Sequence, residues 1–360
     1  MTFNPTRLSI ARKRRLLNKK GFADLVGMTP HTVVRCEAGV YVPPEETIEK
    51  FASALGYPKQ FFYGGDLELP DSELVSFRSQ KAMTASVRDA ALAAGAIGFL
   101  ISDWIENVFN LEAVNVPDLG EFEPDIAAIM LRQNWGQGNE PISNMIHLLE
   151  SKGVRVFSLA ENSKTVNAFS IWRNEYPFVF LNTMKTSESS RFDAAHELGH
   201  LVLHQDGKVT GRQAEDQANA FASEFLMPAA DMRSHRRNYY SIDQMMILKK
   251  RWKVSLSALN YRLHKLGFIS DWTYRDFCIQ ISSKFKQTEP EEMAREKSAV
   301  WQKVMKLLWS QKITQADIAR ELFLPLAEVN TLIFGILYGG QSVQPVVNER
   351  LLLVPKTSKL

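Results

Sequence analysis

The segment 192-FDAAHELGHLVLH-204 sets two histidines four residues apart, His196 and His200, with Glu197 directly after the first. On a helix, residues four apart share a face. The two imidazoles can therefore meet one ion about 2 Å from each ring nitrogen, while Glu197 projects beside the open coordination position. The chain has seven histidines in 360 residues, so this five-residue pattern has roughly a 1% chance of arising by accident. Phe192, Leu198, Leu201 and Val202 give the helix a burial face, and Gly199 lets another backbone come close. The competing reading is a helix whose histidines are ordinary surface or core residues. Zinc is the ion this arrangement suits.

Two histidines leave such a site incomplete, because catalytic zinc usually has three protein ligands and a water. His204 continues the four-residue spacing, yet eight residues of helix put it about 12 Å from His196. One ion cannot bridge all three. The third ligand must come from another element, and 211-GRQAEDQANAFASEFLMP-228 offers Glu215, Asp216 and Glu224. Here the chain resembles the ImmA/IrrE family of metallopeptidases. In that family HELGH is followed by a helix with E, two residues, A-N, then F-A and a closing L-M-P. The corresponding residues are Glu215, Ala218, Asn219, Phe221, Ala222, Leu226, Met227 and Pro228. The resemblance implies a gluzincin-like site with His196, His200 and Glu215 as zinc ligands, Glu197 as the catalytic base, and peptide-bond hydrolysis as the reaction. Asn219 falls one turn after Glu215, where it can steady a ligand. Glu224 is the second choice for the acid, and Asp216 is expected to face solvent. The strand Phe178–Asn182 is a candidate for holding an extended substrate by strand addition.

The N-terminal end carries Arg7, Arg12, Lys13, Arg14, Arg15, Lys19 and Lys20 with no acid among the first twenty residues, although the net charge is only +3. Such an end suggests a polyanion partner, a solvated helix face being the commoner cause. Apolar spacing predicts a helix from Leu8 to about Lys20. Short helices follow, with Phe22, Ala23, Leu25 and Val26 facing inward, a break at Gly27 and Thr29 as an N-cap. Short helix, glycine turn and capped helix form a helix-turn-helix. Over residues 7–63 the segment resembles the Xre class of phage-repressor domains. The match includes an alanine in the first helix of the pair, the turn GMT, then 32-TVVRCEAG-39 and 43-PPEETIEKFASALGY-57. The resemblance implies that the second helix enters the major groove of double-stranded DNA. It makes Pro30, His31 and Arg35 candidates for base contacts, and Lys19 and Thr32 candidates for the backbone or flanking bases. Arg35 can bond guanine in bidentate fashion. A protein-binding helical domain that kept the fold is the alternative.

Between these segments, 63-YGGDLELPDSE-73 reads as a boundary and Phe77–Leu111 has helical periodicity, as a connecting helix or helical pair. A helix near Ile126–Gln133 is expected, then a helix passing through Gly153 into a strand, then two β-runs in 168-AFSIWRNEYPFVFLN-182 around the turn-like RNEYP. Farther on, 245-MMILKKRWKVSLSALNYRLHKLGFI-269 resembles the winged-helix-like tail of the same peptidase family, with Ser255 as a cap. The stretch 313-ITQADIARELFLPLAEVNTLIFG-335 reads as a helix, a turn at Leu324 and Pro325, and a second helix from Leu326. Its second helix has few basic residues, which favours packing or dimerisation over DNA contact. The linker Phe77–Gln80 and the domain order also resemble Xre-type regulators fused to this peptidase.

Composition agrees with a multidomain protein: 45% hydrophobic and 23% charged over 360 residues. Two cysteines, Cys36 and Cys278, suggest neither a disulfide framework nor a thiolate metal site. The basic first twenty residues lack the apolar centre of a signal peptide, and the apolar run Ala90–Ile101 is too short to span a bilayer. A cytoplasmic protein without a membrane segment is expected. The expected fold is mainly α with an α+β zincin-like core, an N-terminal all-α helix-turn-helix domain and a helical C-terminal region. Its parts are residues 1–70 for DNA binding, 71–118 as helical linker, 119–235 as metallopeptidase and 236–360 as the C-terminal region. Two functions fit. One is a DNA-binding regulator, expected as a homodimer on its operator, whose zinc peptidase cuts a repressor or partner protein in a stress or mobile-element response. The other is an antitoxin or repressor whose zinc domain binds a toxin partner without catalysis.

Overall fold

The computed structural model describes residues 2–71, 84–159, 168–286, 288–336 and 354–355. The chain divides into two units. Met1–Glu112, Phe157–Val166 and Ser298–Leu360 form one, and Ala113–Val156 with Asn167–Lys297 form the other. The linker motif Phe77–Gln80 lies outside the described residues.

The first unit begins with α1 (Pro5–Arg14), α2 (Lys19–Val26), α3 (Pro30–Glu37) and α4 (Glu45–Leu55). The single helix predicted up to about Lys20 is two helices. Leu16 adopts a left-handed φ of 58°, and the Asn18 side chain accepts from Gly21 N at 2.7 Å to start α2. Phe22 and Ala23 are buried with Val33, Cys36, Ile48 and Phe51, but Leu25 is 56% exposed, against expectation. At 3.6 residues per turn Leu25 lies about 60° beyond Phe22 on the side away from Ala23. Eight residues of helix present too narrow a buried face to include it. Gly27 closes α2 with φ 67°, and Thr29 caps α3 by accepting from Thr32 N, so the expected turn is present.

The basic N-terminal end is largely an internal scaffold rather than an open cationic surface. Arg7 is buried and donates to Gly65 O at 2.7 Å. Arg12 is also buried and forms a two-pronged pair with Glu37 at 2.5 and 3.0 Å. Lys13 stands 3.8 Å from Asp89, which lies on α5 (Ala85–Val108). Helix α5 is one 24-residue helix, longer than its apolar run suggests. By length and composition alone it can cross a membrane, but 67% of its apolar window is buried inside the protein, as in a core helix. The two-residue strand β1 (Phe109–Asn110) follows.

The second unit is built from α6 (Pro124–Asn134), α7 (Met145–Glu150), β3 (Ala168–Arg173), β4 (Tyr176–Asn182), α8 (Ser187–Leu203), α9 (Gly211–Leu226), α10 (Ala229–Ser234), α11 (Ile242–Trp252), α12 (Leu256–Lys265) and α13 (Asp271–Phe285), and β2 (Arg155–Leu159) has its first two residues in this unit. Strands β3 and β4 form an antiparallel hairpin with Ala168 opposite Leu181 and Arg173 opposite Tyr176. Asn174 and Glu175, with φ 48° and 67°, give the primed turn whose twist suits a tight hairpin. The sheet order is β2-β4-β3. Strand β4 is therefore the middle strand, with both edges already paired. The expectation that Phe178–Asn182 adds a substrate strand is thus corrected.

Residues 288–298, after α13, hold no helix or strand, and three of their glutamates reach back to three helix starts. Glu289 Oε1 accepts from Leu256 N of α12, Glu292 Oε1 from Ser187 N of α8, and Glu296 Oε2 from Met145 N of α7. Each satisfies a backbone donor that a helix cannot pair internally, and its negative charge complements the positive end of the helix.

The chain then returns to the first unit through α14 (Ala299–Ser310), α15 (Gln315–Glu321), α16 (Leu326–Leu332) and β5 (Val354–Pro355), which pairs antiparallel with β1. The expected turn at Leu324 and Pro325 separates α15 from α16. Glu328 of α16, only 4% exposed, forms ion pairs with Arg14 and, at 3.3 Å, with Arg15. Within this unit the α15–α16 pair is packed onto the N-terminal helices.

Candidate metal centre and helix-turn-helix surface

Helix α8 is buried on almost every side, all of its residues except Ser189 and Phe192 being buried. Its first half is anchored by charge. Glu188 accepts from Lys249 at 2.9 Å, Asp193 from Lys185 at 2.8 Å, and Arg191 pairs with Glu296. A helix held this way keeps its second half in one orientation. That half carries His196 and Glu197, both fully buried, and His200 at 6% exposure.

Gly199 brings the second helix in. A β-carbon built on it would lie 3.2 Å from Ala218 Cα and 3.1 Å from Phe221 Cδ1 of α9. With α9 that close, Glu215 Oε2 stands 3.4 Å from His196 Nε2 and Glu215 Oε1 stands 3.3 Å from His200 Nε2. The two Nε2 atoms are 3.1 Å apart. Two atoms each about 2.1 Å from a tetrahedral centre stand about 3.4 Å apart. The three groups thus have the mutual spacing of ligands around one ion, and ligand atoms of all three lie within 4.8 Å of one another.

The donor chemistry agrees with the spacing. Asn219 Oδ1 lies 3.1 Å from His196 Nδ1. An amide oxygen only accepts, so Nδ1 carries the hydrogen and Nε2 turns a lone pair to the centre. Burial holds the His200 and His204 rings below their ordinary pKa, which keeps them neutral. A carboxylate and imidazole lone pairs converging on one point fit a cation.

Glu197 follows the first of these histidines on α8. Ser170 Oγ of β3 donates to Glu197 Oε2 at 2.7 Å. Two residues along, on the same strand face, Trp172 Nε1 donates to Leu201 O at 3.2 Å. Strand β3 therefore rests on α8 through alternate side chains. The second-choice acid, Glu224, is elsewhere. It is buried in an ion pair with Arg262 and accepts from Ala229 N at 3.0 Å. Asp216 faces solvent, as expected.

In the first unit, Pro30, His31 and Arg35 are exposed on α3. Pro30 is at the first helical position, where a missing N–H costs nothing. Thr32 Oγ1 lies 2.9 Å from Thr29 Oγ1 at the start of the same helix. Arg35 has its guanidinium 5.7 Å from the centre of the Tyr41 ring. Lys19 is nearly half exposed and 3.8 Å from Glu37.

Residues 149–264 match the family described as the IrrE N-terminal-like domain, and residues 8–62 match a helix-turn-helix family. The chain fuses an Xre-type helix-turn-helix domain to an ImmA/IrrE-type domain. No curated protein matches it. The helix-turn-helix match runs from within α1 through α4; the IrrE-like match contains α8, α9 and the expected ligand set. The fusion is thus a DNA-binding regulator carrying a domain of the ImmA/IrrE metallopeptidase family, with a His/Glu group able to hold a metal ion.

Sequence reasoning passed over Ser170, Gln217 and the actual place of His204 in the fusion. His204 is too far along the helix from His196 to share its ion, and its ring lies against His200, Nδ1 to Nδ1, at 3.0 Å. Its repeat of the four-residue spacing was the visible signal: the same geometry that denies it the ion gives it the ligand.

Proposed function

We propose that the fusion is a zinc-dependent peptidase that cuts a repressor or partner protein and so alters transcription at a DNA site bound through α3. The observation that carries this reading is the convergence of His196, His200 and Glu215 at ligand spacing, with Glu197 one residue from the first ligand. His196, His200 and Glu215 would hold the ion. Zinc bound there supplies Lewis acidity toward a carbonyl and a water acidified to near neutral pH. Glu197, oriented by the Ser170 hydroxyl, takes the proton of the attacking water and delivers it to the leaving amine.

For the DNA side, Arg35 and His31 read base edges, and Thr32 and Lys19 serve the backbone or flanking bases, with Pro30 at the helix tip. A homodimer on a palindromic operator is the arrangement that suits a helix-turn-helix of this kind. The deciding experiment is Glu197→Gln in cells that carry the regulated gene. Glu197 is not among the proposed ligands, so zinc content should stay near one per chain while the target protein stays uncut and the gene no longer responds. Unchanged gene output with Glu197→Gln would end the peptidase reading in favour of a partner-binding antitoxin or repressor.

A further inference from the structure

We infer that His204 and Gln217 are positioning residues for His200, forming a relay from α9 that fixes which nitrogen of His200 faces the metal centre. The inference rests on the reading of His196, His200 and Glu215 as a metal site. Gln217 Oε1 is 2.9 Å from His204 Nε2, His204 Nδ1 is 3.0 Å from His200 Nδ1, and His200 Nε2 is 3.3 Å from Glu215 Oε1.

The direction of this chain follows from its outer end. An amide oxygen accepts and cannot donate, so His204 Nε2 carries the hydrogen. A neutral imidazole has one N–H, which leaves His204 Nδ1 as an acceptor. His200 Nδ1 must then be the donor, and its Nε2 is left with the lone pair, pointing to the centre. Reversing any link leaves two donors or two acceptors in contact. The other histidine is set by a shorter route, since Asn219 Oδ1 meets His196 Nδ1 directly at 3.1 Å. Helix α9 thus supplies Glu215 and, from Gln217 and Asn219, the amides that orient both rings.

His204 also ends α8, at its C-cap. A side chain serving only as a cap would turn to the last carbonyls of its helix. Both ring nitrogens of His204 are instead engaged sideways, with His200 and Gln217. The ring spans the gap that separates a side chain on α9 from the second histidine of the motif.

The test uses the full chain and zinc itself, with affinity read by competition against a chelating indicator, and with cobalt absorption as a second signature of ligand geometry. His204→Phe keeps the ring volume but removes the acceptor, and zinc affinity should fall about 10- to 100-fold. His204→Gln offers an amide oxygen to His200 Nδ1 and should recover most of that loss, and Gln217→Leu should weaken binding less than His204→Phe. Nitrogen NMR of the zinc-loaded wild type provides a readout independent of variant folding. It should show hydrogen on His200 Nδ1 and on His204 Nε2. Wild-type affinity in His204→Phe, or hydrogen on His204 Nδ1, overturns the relay while leaving the metal site standing. A wild type that binds neither zinc nor cobalt overturns the metal site and the relay with it.

Discussion

Gly199 of α8 and Ala218 of α9 approach so closely that a β-carbon on the glycine would sit 3.2 Å from the alanine Cα. In an open helix, Gly199→Ala would gain up to about 1 kcal/mol of helix propensity. Here the added carbon must push α9 away, and overpacking of this kind costs about 1–3 kcal/mol. We predict a lower Tm for Gly199→Ala together with a zinc affinity reduced more than the Tm change suggests, because Glu215 moves with α9. A rise in Tm with full zinc affinity would show that the two helices have room to spare.

Elemental analysis of the purified protein should find about one zinc per chain, lost in His196→Ala and in Glu215→Ala. Asp216→Asn is the control, since Asp216 is exposed, and it should keep its metal. Equal metal content in the wild type and His196→Ala would remove the proposed ligand set.

Ser170→Ala deletes the hydrogen bond that Glu197 Oε2 receives at 2.7 Å. Hydrogen bonds to charged groups contribute about 1.5–3 kcal/mol. Zinc content should be unchanged while cleavage of the target slows by about tenfold or more, through loss of the carboxylate's orientation. Cleavage at the wild-type rate would mean that Glu197 is held by other contacts.

Arg12 and Glu37 form a buried pair, each side chain 6% exposed. Removing one partner strands the other's charge, which costs about 3–5 kcal/mol. Glu37→Ala should therefore unfold or strongly destabilise the helix-turn-helix domain in a thermal melt followed by circular dichroism. Lys20→Ala, at an exposed position, should leave the melt within about 0.5 kcal/mol of the wild type.

On DNA, Arg35→Ala should reduce discrimination between operator and random duplex, with the loss confined to one or two base positions. Lys19→Ala should weaken all duplexes alike and lower the slope of log affinity against log salt by about one. Fluorescence anisotropy over a salt series separates the two. Unaltered binding in both variants would take the DNA role away from α3 and its neighbour.

What could be read from the sequence was local. HELGH and the residues Glu215 to Pro228 are spaced by the period of a helix, and both the helices and the Gly199 contact appeared where that period put them. Thr29 and Ser255 act as caps because their side chains answer backbone groups three residues away. Asn18 carried the same signal, but the continuous charge around it masked the end of α1. The missed features depend on distant pairing. Ser170 meets Glu197 across 27 residues, Arg14 meets Glu328 across 314, and Met145 N finds Glu296 across 151. No periodicity in one segment encodes its partner in another. The basic N-terminal end was misleading for this reason, since Glu37 and Glu328 neutralise arginines that look free in the linear chain.

The irregular stretch holding Glu289, Glu292 and Glu296 has a consequence for how this protein can vary. Each glutamate meets a different helix start, so their intervals along the chain are fixed by the positions of α12, α8 and α7. Substitutions between them are individually mild. A one-residue deletion between Glu289 and Glu292 instead alters the reach of the segment, so that one anchor or another must let go. Connecting segments are where related chains usually differ in length; this one is expected to tolerate changes of residue far better than changes of count.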